Sequence, residues 1–422
     1  MPRVAVPDTP TPSGDDALTS FAALLTAEGQ HLLAALRDHD PARELAAVTR
    51  LRRDHPAPLV TAAVAQARLR QRAVAKFGAE DAARMYFTPD GVEQATRTGV
   101  AAHRAARFAA GGVRSVADLC CGVGGDAIEL ARAGRTVLAV DRDPLTCAVA
   151  RANMAALGLA DRVEVRCADV TEVDTGAYDG VFVDPARRGG RGGRGGRIFD
   201  PEAYSPPLSW AVGAARAAGA AALKIAPGVP HEAVPEDAEA EWVSYGGDVK
   251  EAVLWFGGAR SGAPHTARAV RATLLPGGAT LTGEEAREGA GAEDAVPPVG
   301  PVGRYLHEPD GAVIRAHLVA EVARATDGRL IDPSIAYVTS DALVRTPFAT
   351  SYEITDVLPF HLKRLRALLR EREVGTLTVK KRGSAVEPEE LRRKVKPRGP
   401  HAATVFLTRV AGAPSMLLGH PA

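Results

Sequence analysis

From residue 17 to about residue 110 the apolar positions recur at helical spacing. Leu18, Phe21, Leu24 and Leu25 share one face, and Leu32, Leu33 and Leu36 follow. The period then shortens. VRSVADL (113–119), RTVLAVD (135–141), RVEVRCAD (162–169), YDGVFVD (178–184) and AALKIA (221–226) read as strands. Helices over Ala127–Ala133, Pro144–Leu157 and Glu202–Ala218 lie between them, and such alternation implies parallel βαβ units. EWVSYGGDVKEAVLWFGG (241–258) breaks that rhythm with two strand-like runs close together, a hairpin at the sheet edge. The acidic, Gly-rich, Pro-ended stretch 282–302 reads as a linker. Beyond it, helices (Ala312–Ala325, Leu358–Arg372) mix with strands (375–381, 403–410). Residues 1–16, with four prolines and no apolar period, read as a disordered leader. The expected organisation is a leader (1–16), a helical N-terminal region (17–110), an α/β domain (111–281), a linker (282–302) and an α+β domain (303–422).

Composition narrows the class. The 422 residues are 46% hydrophobic and 24% charged, the mixture of a globular protein rather than a disordered one. Lys and Arg (52) almost cancel Asp and Glu (51), which excludes a chain basic throughout but not local patches. Cys120, Cys121, Cys147 and Cys167 form no CxxC pair, so neither a metal site nor a disulfide scaffold is expected. No uncharged apolar run reaches the ~18 residues of a membrane span. The opening residues also lack the basic-then-apolar pattern of a secretory signal. The expectation is a reduced, cytoplasmic, soluble protein with no metal and no membrane partner; the pattern sets no oligomeric state.

Candidate chemistry concentrates at DLCCGVGGDA (118–127), directly after one strand and opening a helix. Glycines there allow a sharp turn and let backbone amides approach a ligand near the positive end of the helix. The second strand ends in Asp141, where a carboxylate can accept from both hydroxyls of a ribose. Gly122, Gly124 and Ala127 also satisfy a relaxed GxGxxA dinucleotide fingerprint. Three features favour a different nucleoside. Asp118 would meet an ammonium group and repel a pyrophosphate. Asp169, ending the third strand, suits the exocyclic amine of an adenine. The hairpin gives an antiparallel strand unlike a doubled mononucleotide fold. A cationic, amino-acid-bearing nucleoside, S-adenosyl-L-methionine, fits acids at three successive strand ends.

DLCCGVGGD, LAVDRDP, CADV and VFVDPAR resemble motifs I to IV of the class I S-adenosylmethionine-dependent methyltransferases over residues 113–258. The resemblance implies a Rossmann-like, seven-stranded sheet, with Gly122 and Gly124 under the methionine moiety and Asp141 on the ribose. Cys120 and Arg142 would flank them, and Asp169 with Val170 would border the adenine. Asp184 ends the fourth strand facing the transferred methyl, where it could orient or deprotonate an attacking amine, while Pro185 stiffens the turn; the alternative for Asp184 is a helix N-cap. Amino-methylating enzymes of bases usually carry Pro-Pro and an aromatic after the acid, whereas this chain has Ala186 and Arg187 beyond Pro185. Uracil carbon-5 chemistry needs a cysteine after the fifth strand, and KIAPGVP (224–230) has none. Arg187, Arg188 and Lys224 are candidate substrate contacts. The Arg/Gly run through 197 is either a phosphate-binding loop or a solvated one.

Local charge departs from the average between Lys363 and Arg398, where thirteen Lys and Arg face five Glu. Lys380, Lys381 and Arg382, with Arg392 and Arg393, are the candidate nucleic-acid contacts. YLHEPDGAVIRAHLV (305–319), LIDPSIAYVTSD (330–341), PFATSYEI (347–354) and the basic stretch resemble the C-terminal THUMP-like domain of a largely actinobacterial methyltransferase set. KFGAEDAARMYFTPDGVEQATR (76–97) resembles the same set, with Phe87, Thr88 and Gln94 either capping the cofactor pocket or packing helices. By analogy with RNA-binding THUMP domains, the implied partner is tRNA or rRNA methylated at a base nitrogen. The alternatives are a protein or small-molecule acceptor, or an RNA-binding protein that keeps the cofactor fold without catalysis.

Overall fold

The computed structural model describes residues 14–38, 40, 42, 44–186, 200–260, 268–284 and 297–422. Arg187, Arg188 and the rest of the Arg/Gly run lie outside them, as does most of the leader. Six helices come first: α1 (Gly14–Leu24), α2 (Ala27–Ala35), α3 (Glu44–Leu51), α4 (Ala57–Arg84), α5 (Pro89–Gln94) and α6 (Thr98–Ala110). The alternating stretch follows as β1 (Ser115–Leu119), α7 (Gly125–Arg132), β2 (Thr136–Asp141), α8 (Pro144–Leu157), β3 (Val163–Cys167), β4 (Gly180–Val183), α9 (Leu208–Ala217) and β5 (Ala220–Ile225). Next come β6 (Glu239–Tyr245), β7 (Asp248–Gly257), β8 (Ala269–Leu275) and β9 (Ala279–Glu284). The chain divides into two compact units, Met1–Lys224 with Trp255–Arg260, and Ile225–Leu254 with Ser261–Ala422.

Strand order in the first sheet is β3-β2-β1-β4-β5-β7-β6-β8-β9. The order reverses between β1 and β4, the place where parallel sheets open a ligand crevice at their carboxyl ends. Leu119 lies opposite both Val140 and Val183, so the ends of β1, β2 and β4 are in register. The Rossmann-like α/β core is as expected, but the sheet has nine strands rather than seven. The β6–β7 hairpin is also not an edge, since β8 pairs parallel to β6 and β9 antiparallel to β8.

Local signals place the helices around the crevice. Asp143 caps α8 by accepting from the Thr146 amide at 3.1 Å, Pro144 follows, and Gly158 closes the helix at φ +73°. The helix expected over Glu202–Ala218 begins only at Leu208, because Pro206 and Pro207 precede it. The helical lead-in is tied to the sheet by polar contacts. Arg132 of α7 makes paired 2.7 Å bonds to Asp81 of α4. Asn153 of α8, fully buried, accepts from the Tyr86 amide (2.6 Å) and donates to the Tyr86 (3.1 Å) and Val123 (2.9 Å) carbonyls.

The second sheet follows β10 (Tyr305–Pro309), α10 (Gly311–Arg315), α11 (Val319–Ala325), β11 (Arg329–Leu330), β12 (Val338–Ser340), β13 (Ala349–Pro359), α12 (Leu362–Glu371), β14 (Val374–Lys381), α13 (Pro388–Val395), β15 (His401–Val410) and β16 (Ala413–Pro421). Its order is β11-β12-β10-β13-β16-β15-β14. Leu365 and Leu369 of α12 and Leu391 and Val395 of α13 bury their apolar stripes on one core with Val405, Leu407 and Met416. The helix expected over Ala312–Ala325 is two, broken where His317 takes φ +58°. The one expected from Leu358 starts at Leu362, because β13 runs on to Pro359. No helix among the described residues is long and apolar enough to cross a membrane.

Replacing Asn153 with Ala strips three buried backbone groups of a partner, each worth about 1–3 kcal/mol. Amide exchange at Tyr86 should then accelerate at least about tenfold; unchanged protection would contradict this role of Asn153.

Candidate active site

The turn after β1 is held from below by β2. The Cys121 amide donates to the Val140 carbonyl (2.9 Å) and the Gly122 amide to Oδ2 of Asp141 (3.1 Å). Cys120 and Gly122 both have positive φ, +66° and +57°. A Cβ on Gly122 would meet nothing within 4 Å, so the turn faces open space. Gly124 caps α7 at φ +88°, where a Cβ would come within 2.5 Å of the Met154 Cε. A side chain there is doubly disfavoured. As a glycine, Gly124 offers no side-chain cap to the first amides of α7, the end of a helix that suits an anionic or polar ligand group.

Asp141 also accepts from the Asp143 amide at 3.0 Å, and burial pushes its carboxyl above the usual range. Asp169 is exposed and held by the Thr171 amide (2.9 Å) and hydroxyl (2.7 Å), which push its carboxyl below the usual range. Val170, the next residue, is buried. Arg142 reaches the Ser205 hydroxyl at 3.2 Å. Cys120, Asp141, Arg142, Asp169, Val170 and Ser205 are among the residues that line one cavity of about 270 Å³. Burial pushes the Cys120 thiol well up, with Asp141 and Asp184 adding to it, so it stays protonated and serves packing rather than attack.

Asp118 is the outlier. It is fully buried, and neither carboxyl oxygen has a hydrogen-bond partner among the described residues. Burial pushes its carboxyl up to about 7; the charge of Asp184 pushes the same way, and Arg104 opposes it. Arg104, buried on α6, pairs with Asp126 and lies 4.2 Å over the Phe182 ring.

Asp184 follows β4, its amide donating to the Leu119 carbonyl at 3.1 Å, and Pro185 beside it is buried. Lys224, considered as a substrate contact, is only 5% exposed. Its ammonium donates to Oδ2 of Asp184 at 2.7 Å and to the Thr96 hydroxyl at 3.0 Å. Ala186 forms a two-bond antiparallel bridge with Ser205. Within the 76–97 string, Phe87 packs on Phe77 (5.3 Å between centroids), Thr88 caps α5, and Gln94 is exposed. The site residues missed were Thr96, Arg104 and Asn153. Thr96 stood inside a string already singled out, whereas Arg104 and Asn153 carry no motif.

In the second unit the basic residues are partly engaged. Lys380 pairs with Glu308, Lys381 with Glu387 (2.5 Å), and Arg392 with Glu389 and the Leu377 carbonyl (3.1 Å). Arg382 lies 5.1 Å over the Tyr337 ring, while Arg393 is exposed without an ion pair among the described residues.

Comparison with known proteins adds to this geometry. A methyltransferase-domain family matches residues 116–185, a THUMP domain-like family residues 349–421, and a domain of unknown function residues 15–73. The chain is 35% identical over 358 residues to an uncharacterized S-adenosylmethionine-dependent methyltransferase of Mycobacterium tuberculosis, covering 82% of this chain and 92% of that protein. Over 80 residues, 18% of each chain, it is 38% identical to a 23S rRNA (uracil-C(5))-methyltransferase of Acidithiobacillus ferrooxidans. A crystal structure of a candidate methyltransferase from Porphyromonas gingivalis shares the fold, with a TM-score of 0.74 at 21% identity over 97% of this chain and 99% of that one.

A raised carboxyl pKa means that the folded state binds the Asp118 proton more tightly than the unfolded state does. Ionisation of Asp118 therefore costs stability as pH rises from about 4 to about 7. In urea denaturation, the stability of Asp118→Asn relative to the parent should grow by about 2–4 kcal/mol between pH 4.5 and 8. A difference that does not change with pH would contradict the titration.

Proposed function

The chain belongs to the S-adenosylmethionine-dependent methyltransferases, and we propose that it methylates a base nitrogen of a structured RNA, tRNA or rRNA. When bound, S-adenosylmethionine supplies an electrophilic methyl group on a sulfonium. The residues fit that cofactor. The unpartnered Asp118 carboxyl matches a cationic amino-acid end, the open turn at Gly122 and Gly124 admits close approach, and Asp141 suits ribose hydroxyls. Cys120 and Arg142 belong to the same wall, and Asp169 with Val170 is assigned to the adenine.

Asp184 is assigned to the acceptor. A nitrogen that gains a methyl group must lose a proton, and Asp184 orients the N–H and takes that proton. Lys224 and Thr96 hold the carboxylate in one orientation, which moves Lys224 from substrate contact to positioning residue. Pro185 stiffens the turn beneath. Positioning in a dry pocket contributes more to methyl transfer than acid–base strength does. The shared 80-residue segment does not extend the uracil carbon-5 chemistry to this chain. All four cysteines lie between 120 and 167, and burial pushes the Cys120, Cys121 and Cys147 thiols up.

The observation that carries the RNA reading is the exposed cationic face of two neighbouring helices in the THUMP-like unit. Lys363, Arg364, Arg366 and Arg370 on α12 and Arg393 and Lys394 on α13 are all exposed, and Arg366 bonds the Lys394 carbonyl. Surface pairs such as Lys381–Glu387 are worth little, so phosphates compete for these cations at small cost.

The test incubates the protein with methyl-labelled cofactor and total RNA from a strain lacking the gene, followed by mass spectrometry of nucleosides. Label should enter one N-methylated nucleoside. Asp184→Asn should slow it by about 10²-fold or more, and Lys224→Met should lower kcat with the KM for cofactor unchanged. Label appearing only in protein or small molecules, or on a base carbon, would overturn the reading.

A further inference from the structure

A second cavity lies elsewhere, wholly within the second unit. It measures about 640 Å³ and none of the chemistry above uses it. One wall is a ladder of three rings. Trp242 is buried and stacks on His231 with centroids 4.8 Å apart and planes 12° apart. His231 in turn stacks on His317 at 3.7 Å and 3°. The order of the ladder is also an order of exposure, from buried Trp242 through half-buried His231 to exposed His317.

The ladder is anchored by backbone. The Trp242 indole donates to the Pro227 carbonyl (3.1 Å), and Nε2 of His231 donates to the Arg315 carbonyl (2.8 Å). The break after α10, with His317 at φ +58°, is what brings the third ring onto the stack. Arg315 is exposed and makes no side-chain hydrogen bond or ion pair among the described residues. Arg382 also lines the cavity, and its Nε is buried without a hydrogen-bond partner among the described residues. Glu232 is the acid in the wall and suits a ribose hydroxyl or a base amine.

We infer that this cavity binds a nucleoside 5′-phosphate, free or as one residue of an RNA strand, with the base extending the ring ladder beyond His317 and the phosphate taken by Arg315 and Arg382. Parallel aromatic planes offer any base a stacking surface, and guanidinium groups supply fixed donors to phosphate. The inference concerns binding alone and holds whichever molecule accepts the methyl group.

The test is isothermal titration calorimetry on the full chain with saturating S-adenosylhomocysteine, so that the cofactor crevice is filled. Uridine 5′-monophosphate should bind at least about tenfold more tightly than uridine or inorganic phosphate. His317→Ala should weaken it about tenfold, within the range of base–aromatic stacking. Arg315→Ala should weaken the monophosphate and leave uridine unchanged. Both side chains are exposed, and an unaltered melting curve confirms that the variants fold. Hexauridylate is the second arm. Binding that is lost in the same variants assigns the site to an RNA strand, and binding of the monophosphate alone assigns it to a free nucleotide. No binding of either probe, or binding untouched by both substitutions, would overturn the inference. Neither result bears on label transfer to RNA, so the two proposals fail separately.

Discussion

The Asp118 carboxylate, buried in the first strand with no hydrogen-bond partner among the described residues, sets the terms for everything around it. Burying an ionised carboxylate without compensation costs several kcal/mol, so the surroundings either neutralise it or keep it protonated. Here they do some of each. Arg104 is close enough to oppose the shift, but its own guanidinium is committed to Asp126 and to the face of Phe182. Asp184 and Asp141 add negative charge, and Lys224 offsets Asp184. When every group is ionised, the carboxylates of Asp118, Asp141, Asp169 and Asp184 outnumber the cations of Arg104, Arg142 and Lys224. The crevice is therefore electrostatically incomplete in the sense that suits a ligand with a positive charge.

That incompleteness depends on the helical lead-in as much as on the sheet. Thr96 and Arg104 come from the segments just before β1, and Asn153 clasps Tyr86 and Val123 so that the lead-in and the glycine turn are fixed together. The helical lead-in thus supplies part of the site: the Thr96 hydroxyl behind Lys224, and an arginine, Arg104, that moderates Asp118.

Legibility in the sequence followed range. The glycine turn, Asp141 and the β1–β5 alternation were readable because each depends on backbone geometry over a few residues. The Lys224–Asp184 pair joins residues forty positions apart, and Lys380 meets Glu308 from seventy-two positions away. Nothing local announces either partnership. The same holds for the last two strands of the large sheet. AVRATLL (269–275) has strand composition, but its place beside β6 is set by pairing across the sheet. The uninterrupted apolar period over Ala312–Ala325 concealed a break that lies in the backbone at His317, where no proline or glycine marks it.

If the Asp118 carboxylate, without a hydrogen-bond partner among the described residues, receives the ammonium end of S-adenosylmethionine, cofactor affinity must follow its ionisation. Calorimetric titration of the cofactor between pH 5.5 and 7.5, on the parent and on Asp118→Asn, tests it most directly. Parental affinity should rise with pH as the carboxyl ionises near 7, and the variant should bind more weakly with a flat profile. A variant that binds as tightly as the parent, with the same pH profile, would contradict it.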